Sequence, residues 1–280
     1  MHRGIVLELA STSPVRRING VDMLRAEVHF RLHSLGRWRD PALEVALYLG
    51  AYLVYLGMRR GFASDPAAAA LDNAQQLMAL ERRLGIFWEP AWQSWWVENV
   101  PALVKTLNWF YIVTYWPVIL AAAVALYLSN RPLYCRYRNV MVASLTLALA
   151  VFALFPVAPP LKLTEHFTDT VQQFGPSLYG GPQMAPFYNA YAAMPSLHFT
   201  WTIILGVMFL QLLQGWQRWL ALAYPGLTLA AIIITGNHFL LDALAGGVLA
   251  LAGFAAADRM PGHPKAGSLA HNAGQRGDPE

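Results

Sequence analysis

The sequence predicts an all-α fold: a polytopic membrane protein with six transmembrane helices and an interfacial amphipathic helix. Two observations predict it. Of the 280 residues, 56% are apolar and only 13% are charged, about half the charged share of an ordinary soluble domain. The apolar residues also gather in long blocks, each near the ~17–25 residues that cross a bilayer.

Residues 1–40 are polar and basic, with a surface helix expected around 21–35, and form a cytoplasmic N-terminal segment. No apolar central region of a cleavable signal is expected there. Residues 41–257 form the membrane catalytic domain. Its spans are read at 42–58, 104–129, 139–156, 196–213, 218–236 and 238–257. Pro117 and Pro225 fall inside the second and fifth, where neighbouring helices can satisfy the freed carbonyls. Between the first two spans, 65–98 carries a helical pattern that runs into Trp88, Trp92, Trp95 and Trp96. This composition suits a helix lying in the headgroup layer. Residues 157–195 form a long loop rich in Pro, Gly and Tyr, read as the extracytoplasmic active-site loop because it ends at MPSLH and loops of this length are usually functional or disordered. The tail, 258–280, is expected to be disordered and cytoplasmic. Ala245, Gly246 and Gly247 read as a close helix contact.

With six spans both termini share one side. That side collects fourteen of the 20 Lys and Arg residues, which places it in the cytoplasm of a plasma-membrane protein. The net charge of +4 fits such basic loops, and no basic stripe interleaved with aromatics speaks for nucleic acid. The single Cys135 excludes an internal disulfide and a cysteine zinc cage.

Two histidines then fall at helix starts on the outer face. His198 stands in MPSLHFTW, and His238 in TGNHFLLD with Asp242 four residues on. On a helix that step stacks Asp242 one turn from His238, so the carboxylate can hold one ring nitrogen and leave the other free. His198 has no such neighbour in the sequence. Converging helix N-termini make an anion site. The catalytic reading therefore has His238 attacking phosphorus, Asp242 orienting it and His198 acting as general acid and then base. Ser196, Asn237 and Lys162 are the candidate phosphate-binding residues. An ionisable residue such as Asp242 inside a span is costly and speaks for function.

These stretches resemble the type 2 phosphatidic acid phosphatase superfamily, and within it the inositolphosphotransferase-like branch that includes fungal inositol phosphorylceramide synthase. The resembling residues are LGIFWEPAWQ, CRYRNVM, FPVAPP, MPSLH and NHFLLD, between Leu80 and Ala256. The resemblance implies a six-span core, a phosphohistidine on His238, acid/base action by His198 and chemistry without a metal or other cofactor. The superfamily's first motif, a Lys followed after six residues by Arg-Pro, is absent, and Ala231-Ile232 stand where a Ser-Arg pair is usual. Leu197 replaces the glycine of Pro-Ser-Gly-His. These departures point toward the synthase-like branch.

The expected function is a phosphatase or phosphotransferase acting on a membrane lipid phosphate or phosphodiester, with water, a polyol or a lipid alcohol as acceptor. Two alternatives stand beside it. One is a zinc site built from His198, His238 and Asp242. The other is a non-catalytic lipid-binding or transport protein on a degenerate enzyme fold.

Overall fold

The computed structural model describes residues 41–57, 65–175, 189 and 191–260. The expectations for segment 1–40, for the middle of the 157–195 loop and for the tail beyond 260 fall outside these residues. The chain divides into two compact units, Met1–Tyr52 and Leu53–Glu280. The described part of the first unit begins α1, Pro41–Gly57, an apolar helix.

The second unit carries eight further helices among the described residues: α2, Pro66–Leu84; α3, Glu89–Asn99; α4, Pro101–Ser129; α5, Arg131–Leu154; α6, Thr170–Phe174; α7, Leu197–Leu212; α8, Arg218–Ile234; and α9, Leu240–Ala257. No strand occurs among the described residues. One isolated parallel bridge, Val157 to Ala192, ties the start of the long loop to its end. Among the described residues four helical stretches are long and apolar enough to cross a membrane: α4, α5, Gly215–Ile234 including α8, and α9. α1 and α7 are apolar but shorter. At 16 residues, α7 rises only about 24 Å.

Local chemistry sets the helix boundaries and moves several of the expected ones. The single helix expected through 65–98 is two. Gly85 adopts a left-handed conformation with φ 70° and ends α2, as a glycine without a Cβ can. At the other end of α2, the Asp65 carboxylate caps the N–H groups of Ala67 and Ala68, with Pro66 following it. α5 begins at Arg131, eight residues before the apolar run suggested. Asn130 caps it through the N–H of Leu133, and Pro132 occupies its first turn. The CRYRN stretch is thus helical although it is polar. Pro117 and Pro225 lie within continuous helices.

α9 packs against α5 and α7, and α7 against α8. Two glycines of α9 allow these approaches. A Cβ on Gly246 would stand 2.7 Å from the Ser196 carbonyl oxygen, and one on Gly253 would stand 3.0 Å from Ser144 Cβ and 3.1 Å from the Val140 carbonyl. Small residues of this kind bring membrane helices together. The neighbouring Gly247 meets nothing closer than Ile203 Cδ1 at 4.0 Å. Trp201 Nε1 donates to Ser144 Oγ at 3.1 Å and joins α7 to α5. The outside of the bundle is apolar, with Leu128, Leu154, Val248 and Leu251 strongly exposed. A soluble protein seldom exposes so large an apolar area.

The helices alternate in direction. The starts of α4, α7 and α9 and the ends of α5 and α8 share one end of the bundle. α2 lies across that end and buries Ala70, Ala74, Leu77 and Met78 against Val157, Ala158, Leu163, Phe167 and Phe239. α3 is inverted relative to a soluble helix: Glu89 and Gln93 are buried, while Trp88, Trp92 and Trp95 face outward.

Candidate active site

The two histidines stand at this covered end. His238 is not in the first turn of a helix. α8 ends at Ile234, and Gly236 takes φ 71°. The N–H groups of Asn237 and His238 both donate to the Ile232 carbonyl, at 3.0 and 3.1 Å. α9 starts only at Leu240, with Phe239 at its N-cap. The His238–Asp242 pairing therefore rests on a helix cap and not on helical stacking. Asp242, third residue of α9, turns back so that Oδ2 accepts from Phe239 N at 2.9 Å, one half of a capping box. The same oxygen lies 3.5 Å from His238 Nδ1. Both side chains are buried, and His238 Nδ1 and Asp242 Oδ1 have no hydrogen-bond partner among the described residues. At 3.5 Å the contact is longer than a well-formed hydrogen bond. With Nδ1 facing the carboxylate, Nε2 is the nitrogen left for chemistry.

His198, second residue of α7, packs against side chains supplied by α4. Its ring lies against Tyr111 and Tyr115, with centroids 4.3 and 3.9 Å away. The Tyr111 hydroxyl is 3.4 Å from His198 Nδ1. No local sequence pattern marks this contact, which joins residues 87 apart. The starts of α7 and α9 are tied directly: Ser196 N donates to the Asp242 carbonyl at 3.0 Å. Thr200 Oγ1 bridges the carbonyls of Ser196 and Gly246 at 2.8 and 2.9 Å. His198 and His238 are brought within electrostatic reach of each other.

The three phosphate-binding candidates are placed less uniformly. Ser196 is buried beside His198, and its Oγ caps α7 through Phe199 N at 3.4 Å. Asn237 is buried next to His238 and donates from Nδ2 to Thr235 Oγ1 at 2.6 Å. It does not cap α9. Lys162 ends a short 3-10 turn, Pro160–Lys162, is half exposed, and pairs with Asp169 Oδ2 at 3.5 Å.

One expectation is corrected. The start of α9 is not an open row of N–H donors for an anion. Phe239 N is taken by Asp242, Leu240 N by Glu89 Oε1 at 2.9 Å and Leu241 N by Glu81 Oε1 at 2.8 Å. Acids near a helix N-terminus are favoured by its dipole, and here the protein supplies them itself. Both glutamates are almost fully buried. Burial pushes the Glu81 carboxyl up to about 8, opposed by the bond from Leu241 and reinforced by Glu89 beside it. Gln93 completes the brace. It exchanges two hydrogen bonds with the backbone of Thr168, at 3.1 and 2.8 Å, and its amide packs on Gly236, where a Cβ would be 2.5 Å from Nε2. Sequence reading missed Glu81, Glu89 and Gln93. The available signal was an acid at position 81 in register with Ala70, Ala74 and Leu77, and Glu89 and Gln93 one turn apart opposite three tryptophans.

Among the described residues no group of three or more His, Cys, Asp or Glu side chains is placed to hold a metal ion. His198, His238 and Asp242 therefore do not form such a group. In comparison with known proteins, a family model described as the PAP2 superfamily matches residues 75–256, well over half the chain. No curated protein and no solved structure matches. The matched stretch runs from within α2 almost to the end of α9, and contains both histidines, Asp242, Glu81, Glu89 and Gln93.

Proposed function

The chain belongs to the PAP2 superfamily, and we propose that it is an integral-membrane phosphatase or phosphotransferase acting on a lipid phosphate or phosphodiester. The observation that carries the reading is the pairing of buried His238 Nδ1 with Asp242, at 3.5 Å, beside a second histidine on the neighbouring helix start. Asp242 keeps the proton on Nδ1, so the Nε2 lone pair attacks phosphorus. An N–P bond forms as the bond from phosphorus to the leaving oxygen breaks, and His198 gives that oxygen a proton. In the second half a water or alcohol oxygen attacks the phosphohistidine and passes its proton to His198. The N–P bond breaks and both histidines return to their starting states. Hydrolysis and transfer differ only in the acceptor, and a polyol or lipid alcohol makes the enzyme inositolphosphotransferase-like.

Phosphoryl transfer depends chiefly on positioning and electrostatics. Ser196 and Asn237 border the reaction centre, and Lys162 can exchange Asp169 for a phosphoryl oxygen. The sequence count of Arg and Lys, fourteen against six of the 20, supports a site on the extracytoplasmic face of the plasma membrane, with both termini cytoplasmic. The test is incubation of the purified protein with a panel of labelled lipid phosphates and phosphodiesters, with and without inositol, followed by product separation. Release of phosphate or appearance of a transferred headgroup, unaffected by chelators and inhibited by vanadate, is the expected result. No product from any lipid in the panel contradicts the reading.

A further inference from the structure

Glu81 and Glu89 are the buried titratable groups that this chemistry does not use. Each comes from a helix of the α2–α3 segment, and each places one oxygen on a backbone N–H of the first turn of α9. Their other oxygens, Oε2 in both, are buried with no hydrogen-bond partner among the described residues. Nearly all buried polar atoms in folded proteins are paired, so two neighbouring orphans on two acids require an explanation. Helix capping alone does not supply one, since an amide or hydroxyl would cap without a buried charge.

We infer that Glu81 and Glu89 are positioning residues for the nucleophile: sharing one proton between their free oxygens, they clamp the first turn of α9 to α2 and α3 and thereby set where His238 and Asp242 stand. The inference rests on the proposed role of His238. A proton held between the two Oε2 atoms satisfies both orphans in one bond. It also keeps the net charge of the pair at one, which matters because the charged groups acting on Glu81 are Glu89 from α3 and Asp242 from α9, all of one sign. Like charges this close cannot all ionise without large cost. The raised Glu81 value, about 8 against an ordinary 4.5, agrees with a carboxyl that keeps its proton at neutral pH. The chain of contact to the nucleophile is short. Glu81 and Glu89 hold Leu241 and Leu240. Asp242 follows directly and turns back to Phe239 N, and His238 precedes it. Gln93 packs on Gly236, two residues before His238.

The sign of the pH dependence follows. Between about pH 4.5 and 8 the unfolded Glu81 is ionised and the folded one is protonated, so the folded state binds more protons and stability falls as pH rises. Above about 8 the pair loses its shared proton, the charges repel and the clamp loosens.

Glu81→Gln retains an acceptor for Leu241 and cannot ionise, whereas Glu81→Ala loses both. The experiment compares wild type, E81Q, E81A and E89Q in detergent micelles, each carrying ¹³C-labelled histidine, with the His238 signal identified by its loss in H238N. Expected are a displaced and broadened His238 signal in E81A and a near wild-type signal in E81Q at pH 7. The wild-type signal should change as pH rises through about 8, and that step should be missing in E81Q. Turnover should follow: kcat falls about 30-fold or more in E81A with KM within about threefold, most of it is regained in E81Q, and the alkaline limb of the rate profile moves upward in E81Q. The melting temperature of E81Q should exceed that of wild type by a margin that widens from pH 5 to 8. An unchanged His238 signal in E81A, or an E81Q that keeps the wild-type alkaline step, overturns the inference. Should E81A not fold, the E81Q titration decides alone. Because the histidine signal is read without substrate, a protein inactive on every lipid would defeat the proposed function and leave this outcome still readable.

Discussion

The two ends of the helix bundle handle buried polarity in opposite ways. At the end formed by the last turn of α4, the first turns of α5 and the end of α9, charge meets its opposite or an aromatic face. Arg136 pairs with Asp258 at 3.0 Å, and Arg131 lies 3.7 Å from the centre of the Tyr127 ring. At the covered end Glu81, Glu89 and Asp242 gather, and among the described residues none of the three pairs with Lys or Arg. Helix N–H groups and histidine hold them, and one oxygen of each has no hydrogen-bond partner among the described residues. The first arrangement joins helices by attraction and is what a structural contact needs. The second is enclosed by α2, α3 and α9, and buried ionisable groups of this kind cluster at functional sites. The contrast sets the end that carries the proposed site apart from the other by its buried acids.

If the contrast is sound, substitutions at the two ends must separate activity from stability. The largest effect is expected for His238→Ala, which should lower turnover by at least about 10³-fold at unchanged melting temperature and membrane insertion. Arg136→Ala at the other end should lower the melting temperature while turnover per folded molecule stays within about twofold. Next comes Asp242→Asn. An asparagine can still accept from Phe239 N, so α9 remains capped, but it no longer fixes the His238 tautomer, and kcat should fall by about 10²–10⁴. Equal losses in stability and rate would mean that Asp242 serves as a cap alone.

The two α9 glycines give a matched pair. An added methyl at Gly246 or Gly253 forces a backbone or packing shift worth about 1–3 kcal/mol, measurable as a lowered melting temperature in both. Only Gly246→Ala, which pushes on Ser196 beside His198, should also reduce kcat. The smallest effect is expected for Tyr111→Phe. It keeps the ring against His198 and removes the hydroxyl 3.4 Å from Nδ1, so kcat should fall a fewfold and the acid limb of the rate profile should change while KM holds.

The apolar runs made most of the helices readable. The spans expected at 104–129, 196–213, 218–236 and 238–257 match α4, α7, α8 and α9 to within about three residues at either end. Errors arise where a cap, not hydropathy, sets the boundary. Asn130 and Pro132 start α5 in a polar stretch, Gly85 divides α2 from α3, and Phe239 with Asp242 delays α9 so that His238 stands in a turn. His238 and Asp242 were visible because they stand four residues apart, and His198 because it stands in MPSLH before an apolar run. The brace of Glu81, Glu89 and Gln93 was not, since its hydrogen bonds span 75 to 160 residues and local periodicity carries no record of them. Tyr111 was hidden for the same reason.

The central claim, that His238 attacks phosphorus, is tested most directly by trapping. Wild type and His238→Ala are mixed with a lipid phosphate labelled at phosphorus, quenched within the first turnover and freed of lipid. The account predicts label on wild-type protein that survives alkali, is released by acid and maps to the peptide containing His238, with none on the variant. Label of equal amount on His238→Ala, or full turnover with no labelled protein at any time, would contradict it.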